Sequence, residues 1–69
     1  MIEAAEEFLR ELEQESSEEV AMAVSCVLAA EGQTGEEAEL TLLQARFHQA
    51  KAGWLREFVA LCRRAEPSA

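Results

Sequence analysis

The side chains that could support a chemical reaction are few: one histidine, His48, and two cysteines, Cys26 and Cys62. Nucleophilic catalysis requires a thiol and its base within hydrogen-bond reach of each other. Cys62 follows His48 by 14 residues, which on one helix is a separation of about 21 Å along the axis. If the chain folds back on itself, Cys26 would lie opposite residue 41, nearly two helical turns from His48. The sequence therefore predicts a protein that is not an enzyme, in which both cysteines are free, small apolar side chains.

Metal-binding patterns are equally scarce. Helical bundles that hold two metal ions place Glu-x-x-His on their inner helix faces, and the residue three positions before His48 is Ala45. The 14 acidic residues are all glutamates, and a group such as Glu3, Glu6 and Glu7 has the spacing of a solvated helix face. We therefore expect neither a metal nor a cofactor.

The charged residues are divided unequally along the chain, whose formal net charge is −8 at pH 7. Residues 1–39 contain 12 glutamates and a single base, Arg10, whereas residues 40–69 contain five bases and two glutamates. The acidic excess argues against binding to nucleic acids or to anionic membranes, both of which would repel it. The two halves are complementary in sign, which favours contact between them.

No targeting or membrane segment is visible. The first residues, MIEAAEEF, are acidic and lack the basic and apolar regions of a secretory signal. The longest apolar run, VAMAVSCVLAA, has 11 residues, whereas a membrane span needs about 20. We expect a cytoplasmic protein.

Helix-forming residues dominate the sequence, and the segment EGQTGEE is its one clear break. In this segment, Gly32 fits the left-handed position that often ends a helix. We predict an all-α fold, an antiparallel helical hairpin with arms at about 2–31 and 35–65. It would form a single small domain over 1–69, with 66–69 as a frayed tail.

The first arm could instead consist of two helices. Ser16-x-x-Glu19 has the spacing of a capping box, which marks a helix start. A break near Ser16–Ser17 would allow the first segment to fold back and give a three-helix bundle. Both architectures remain open at this point.

In a hairpin with this turn, residues whose numbers add up to about 66–68 face each other. Val24 would then meet Leu43, and Ser16 would face Ala50. The bulky residues on the facing stripes form the predicted hairpin core: Leu9, Leu12, Val20, Val24, Val27, Leu40, Leu43, Phe47, Trp54, Phe58 and Leu61.

More apolar surface remains than two helices can cover. Val20–Ala30 has Ser25 as its only polar residue, although a surface helix should be apolar on one stripe only. On the second arm, another apolar stripe is rotated by about 100° from the first. These additional residues form the predicted partner interface: Met22, Cys26, Leu42, Leu55, Val59 and Cys62. Because exposed apolar patches commonly mark interaction sites, we expect another protein or a second copy of the chain to cover them.

In size and layout the chain is similar to the small helical-hairpin co-chaperones of type III secretion needle subunits. The similarity lies in EGQTGEEAELTLLQARFHQAKAG, residues 31–53, where a glycine-containing turn precedes a helix rich in glutamine and alanine. The resemblance implies a helical hairpin that binds another protein.

Two functions fit these patterns. The first is a non-catalytic protein–protein interaction module, such as a co-chaperone, adaptor or regulatory subunit, that buries an apolar helix face. The alternative is an acidic inhibitor, immunity protein or antitoxin that masks a basic site with its glutamates: Glu3, Glu6, Glu7, Glu13, Glu18 and Glu19. The salt dependence of binding would distinguish the two functions, because ionic strength screens charge-led binding and has little effect on apolar burial.

Overall fold

A computed structural model describes the backbone of residues 2–65 and the side chains of residues 4–65. Two long α-helices, α1 (Ile2–Glu31) and α2 (Gly35–Ala65), pack against each other as a hairpin. The predicted arms are confirmed, and α1 continues without a break through Ser16 and Ser17. The frayed tail predicted at 66–69 lies outside the described residues.

The turn between the helices is short and depends on one glycine. The backbone N–H groups of Gly32 and Gln33 donate to the carbonyls of Ala29 and Ala30, at 3.2 and 3.0 Å, which tightens the end of α1. The left-handed residue is Gly35, with φ of 63°, and not Gly32 as predicted. Left-handed backbone is therefore used at the start of α2, where glycine carries no steric penalty.

A single stripe on each helix faces the other helix, and we call the contact between these stripes the hairpin seam. Its positions alternate at spacings of three and four residues, the heptad pattern of coiled coils. All of them are buried or half-buried. On α1 they are Leu9, Leu12, Ser16, Glu19, Ala23, Cys26 and Ala30, and on α2 they are Ala38, Thr41, Ala45, His48, Ala52, Leu55, Val59 and Cys62.

Small side chains recur in the hairpin seam at every seventh residue. On α1 they are Ser16, Ala23 and Ala30, and on α2 they are Ala38, Ala45 and Ala52. Because these side chains project little beyond the backbone, the two helices can approach closely. The molecule measures 55 × 15 × 11 Å, one helix thick.

The predicted register is confirmed. The Ser16 hydroxyl donates to the Ala52 carbonyl at 2.9 Å, and His48 contacts Glu19, so facing residues have numbers that add up to 67 or 68. The rotation of each helix about its axis differs from the prediction, because Ser16 meets Ala52 where Ala50 was expected. Ala50 lies exposed on the outer side of α2.

The predicted hairpin core was wrong at all but two positions. Leu9 is buried and Leu12 half-buried, as expected, but the other bulky residues are exposed. They are Val20, Val24, Val27, Leu40, Leu43, Phe47, Trp54, Phe58 and Leu61. The prediction chose the stripes with the largest side chains, whereas the helices meet along the stripes whose small side chains permit close contact.

A glycine-to-alanine change should have opposite effects at two positions. Gly53 lies within α2 with open space around its Cβ position, so Gly53→Ala should stabilise the hairpin by about 1 kcal/mol by favouring the helical backbone. Gly35→Ala should destabilise it by about 1–2 kcal/mol, because alanine is strained in left-handed backbone. Urea unfolding followed by circular dichroism measures both. Equal effects of the two changes would contradict this description of the turn.

Overpacking the hairpin seam should separate the helices. Ala52 is 1% exposed, so Ala52→Leu should destabilise the hairpin by about 1–3 kcal/mol. Ala21→Leu, on the exposed side of α1, is the matched control and should change the free energy of unfolding by about 0.5 kcal/mol or less. A tolerated Ala52→Leu would show that the helices meet along another face.

Candidate protein-binding surface

A polar cluster crosses the middle of the hairpin seam. Glu19 is 6% exposed, and one of its carboxylate oxygens lies 2.5 Å from Nδ1 of His48. Its other oxygen lies 3.2 Å from Nζ of Lys51, which also reaches Glu15 at 3.9 Å. These contacts join glutamates of α1 to basic side chains of α2. They agree with the contact expected between the acidic first arm and the basic second arm.

The cluster changes the ionisation of Glu19. The hydrogen bond with His48 is the main reason that the pKa of the Glu19 carboxyl is lowered below its usual value. Burial opposes this effect, and Lys51 reinforces it. The ring of His48 also meets the ring of Phe47 edge to face, with centroids 5.6 Å apart. A carboxylate that orients an imidazole also occurs in acid–base sites. In this hairpin the cluster joins α1 to α2 beside the hydrogen bond from the Ser16 hydroxyl to the Ala52 carbonyl.

A second set of ion pairs lies near the open end of the hairpin. The guanidinium of Arg63 donates to Glu6 at 3.1 Å and to Glu13 at 2.7 Å. The hydrogen bond to Glu13 is the main reason that the pKa of Arg63 is raised. The groups are well exposed, so solvent screens the interaction. They nevertheless tie two glutamates of α1 to α2.

The outer faces of the hairpin carry most of the large apolar side chains of residues 4–65. Besides the nine exposed residues of the predicted core, these side chains are Phe8, Met22, Leu28 and Leu42. Phe47, Trp54 and Leu28 are the most exposed, at 65%, 62% and 61%. Monomeric proteins of this size rarely leave so many large apolar groups in water unless the surface is used for binding.

One of these surfaces is a groove between the two helices near the turn, which we call the apolar groove. It has a volume of about 460 Å³. Its α1 wall consists of aliphatic side chains, and its α2 wall ends in Arg46 and Gln49. The lining residues are Val20, Ala23, Val24, Val27, Leu28, Leu42, Ala45, Arg46 and Gln49. The same side of the hairpin continues toward the open end as a second depression that includes Ser17 and Arg56.

The second surface is a stripe along the outside of α2, which we call the outer stripe. It repeats at three and four residues from Leu40 to Leu61, a length of about 31 Å. Trp54 and Phe58 stack within it, with ring centroids 5.8 Å apart and planes 14° apart. Its members are Leu40, Leu43, Phe47, Ala50, Trp54, Phe58 and Leu61, all exposed.

The predicted partner interface is divided by the structure. Leu55 and Val59 are 4% and 5% exposed and lie in the hairpin seam, where a partner cannot reach them. Cys26 and Cys62 are half-buried in the same seam as free thiols. Met22 and Leu42 are exposed as expected. Leu28 and Arg46, which line the apolar groove, were not among the predicted residues. The seven-residue repeat of small residues could have shown which side of each helix faces outward.

Acid should destabilise the hairpin through Glu19. A carboxyl whose pKa is lowered on folding stabilises the fold above its unfolded pKa, and this stabilisation is lost as the pH falls through the folded pKa. The midpoint of urea unfolding should therefore decline once the pH drops below the usual glutamate value of 4.5. Glu19→Gln should reduce this decline and lower the midpoint at neutral pH.

Glu18→Gln is the matched control, because Glu18 is adjacent to Glu19 but exposed. It should leave the pH profile of the unfolding midpoint unchanged. Parallel profiles for wild type and Glu19→Gln would contradict the role given to the cluster.

Three further observations concern metal sites, membrane spans and known proteins. Among side chains 4–65, no three His, Cys or Glu residues lie close enough together to hold a metal ion. Neither described helix combines the length and hydropathy that a membrane crossing requires. No protein-family model, curated protein or solved structure matches the chain.

Proposed function

We propose that this chain is a non-catalytic protein-binding module, a small helical adaptor or co-chaperone, that accepts an amphipathic helix of another protein in the apolar groove. One observation carries the proposal: small and polar side chains fill much of the hairpin seam, and 13 large apolar side chains of the described residues are exposed outside it. The layout shared with the co-chaperones of type III secretion needle subunits is in keeping with this function.

The shape of the apolar groove favours a helix as its occupant. Its walls are two nearly parallel helices, so a third helix laid between them would complete a three-helix arrangement. Val20, Val24 and Val27 recur at spacings of three and four along α1, which matches the spacing of apolar side chains on an incoming helix. Recognition of an amphipathic helix in an apolar groove is a common mode of peptide binding.

The charge of the groove favours carboxylates on one flank of that helix. Arg46 lines the α2 wall, and Arg56 follows in the adjacent depression. Among the described residues, neither arginine forms an ion pair. At physiological ionic strength charges act over about 8 Å, so these arginines influence the groove more than the net charge of the chain does.

An acidic inhibitor receives less support from the same geometry. Of the glutamates assigned to that function, Glu6 and Glu13 are bound by Arg63, and Glu19 is bound by His48 and Lys51. Carboxylates that are already paired within the hairpin are less available to a basic target.

A synthetic amphipathic peptide of about 18 residues, with leucines on one face and glutamates along one flank, would test the proposal by calorimetry. Leu28→Glu should weaken its binding by at least tenfold, because burial of a leucine is worth about 1.5–3 kcal/mol. Arg46→Gln should weaken it about threefold, as expected for an exposed ion pair. Phe47→Glu, equally exposed but outside the groove, should bind like wild type.

Equal losses in Leu28→Glu and Phe47→Glu would overturn the groove as the binding site. Steep loss of binding between low and physiological salt would show that charge, and not burial of apolar side chains, carries the recognition, and would also overturn the proposal.

A further inference from the structure

The outer stripe of α2 is separate from the apolar groove, and its sequence points to a particular occupant. We propose that it binds the outer stripe of a second copy of this chain. In the dimer, the two α2 helices lie antiparallel, with the two-fold axis beside Ala50. Each copy then keeps its apolar groove free for a partner.

The spacing of the six large side chains of the stripe is the first support, because it is the same when read from either end. In an antiparallel pair centred beside Ala50, residues whose numbers add up to 101 lie at the same level. Leu40 then lies level with Leu61, Leu43 with Phe58 and Phe47 with Trp54. The large side chains thus lie at matched levels on both sides of the axis. A two-fold interface requires this kind of self-complementary surface.

The residue at the centre is small. Ala50 is exposed on the outer side of α2, and an alanine at the axis lets two helices approach as they do in the hairpin seam. Lys51, at the same level, is held by Glu19 of its own chain at 3.2 Å. The two lysines therefore do not meet at the axis as unpaired charges.

The charges at the two ends of α2 also suit an antiparallel pair. Glu36 and Glu37 lie in its first turn, and Arg63 and Arg64 lie in its last turn. In the proposed register Glu37 lies level with Arg64 of the second copy. Over their described lengths, α2 has five bases and four glutamates, a net of +1, whereas α1 has nine glutamates and one arginine, a net of −8. Contact through α2 keeps the two acidic helices apart.

The area of the stripe is sufficient for a stable contact. Phe47, Trp54 and Phe58 are 65%, 62% and 37% exposed. Since an aromatic side chain buries about 150–250 Å², the aromatic residues of two copies would together bury roughly 600 Å². This is half of the roughly 1,200 Å² at which stable interfaces begin. Leu40, Leu43 and Leu61, each more than half exposed, extend the contact.

Light scattering after size-exclusion chromatography, together with sedimentation analysis, tests the proposal on the full chain. At about 100 µM, wild type should have twice the monomer mass of 7.6 kDa. Phe47→Glu should raise the dimer dissociation constant at least about a hundredfold, because the change occurs twice in each dimer. Leu28→Glu, similarly exposed but on α1, should keep the dimer. Circular dichroism should show unchanged helicity in both variants.

Trp54 is the single tryptophan and provides an independent signal. Its emission should shift to shorter wavelength as the wild-type chain associates on concentration, and Phe47→Glu should abolish the shift. A wild-type monomer at about 100 µM, or equal dissociation of Phe47→Glu and Leu28→Glu, would overturn the proposal. These results leave the peptide-binding test of the apolar groove unaffected, because that test uses a different surface.

A cross-link locates the axis without a destabilising change. With Cys26 and Cys62 replaced by alanine, Ala50→Cys should form a covalent dimer under mild oxidation. Ala21→Cys, on the exposed side of α1, should stay monomeric on denaturing gels. A disulfide requires Cα atoms about 4.4–6.8 Å apart, so cross-linking by Ala21→Cys but not by Ala50→Cys would place the interface elsewhere and overturn the proposal.

Discussion

Two helices can approach closely only where no large side chain stands between them, and this steric constraint governs the hairpin. Ser16, Ala23 and Ala30 on α1 and the matching alanines on α2 satisfy it, because they repeat every seven residues on a single side of each helix. Once these stripes are in contact, the orientation of every other side chain is fixed by the helix period. Most of the bulky residues then lie on the outside, and Leu9, Leu12, Leu55 and Val59 are the ones that the seam accommodates. The exposed apolar surfaces are therefore a consequence of the small residues in the hairpin seam.

A seam made of small side chains buries little apolar surface, so polar contacts have a larger part in setting its alignment. Three of them are distributed along the hairpin: Ser16 with Ala52, Glu19 with His48 and Lys51, and Arg63 with the glutamates near the open end. A slip of one turn would leave the buried Glu19 carboxylate without its partners, and an unpaired buried charge is costly. The small side chains are thus compatible with several alignments of α1 along α2, and the polar contacts stabilise one of them.

The sequence was sufficient to predict the helix bounds, the turn and the register, because these follow from helix propensity, glycine placement and arm length. It was not sufficient to predict the rotation of the helices. Along α1 the expected stripe and the observed one coincide through Ser16 and then diverge by one residue, with Glu19 and Cys26 in the seam where Val20 and Val27 were expected. A 3.6-residue period drifts relative to a seven-residue repeat, so the expected stripe and the observed stripe diverge along a long helix. Because the prediction placed the stripes with the largest side chains in the core, it assigned exposed residues such as Phe47 and Trp54 to the core. For the same reason it assigned the buried Leu55 and Val59 to the partner interface.

The scarcity of large buried side chains also has a thermal consequence. Among the described residues, no large side chain is completely enclosed, so unfolding of the isolated hairpin hydrates little additional apolar surface. The heat capacity of unfolding depends mainly on that surface. Its stability curve should therefore be flatter with temperature than that of a domain with a conventional core, with weak cold destabilisation and a broad heat transition. Association through the outer faces would restore the missing heat capacity, and the hairpin would acquire the thermal signature of a globular protein only when it is bound.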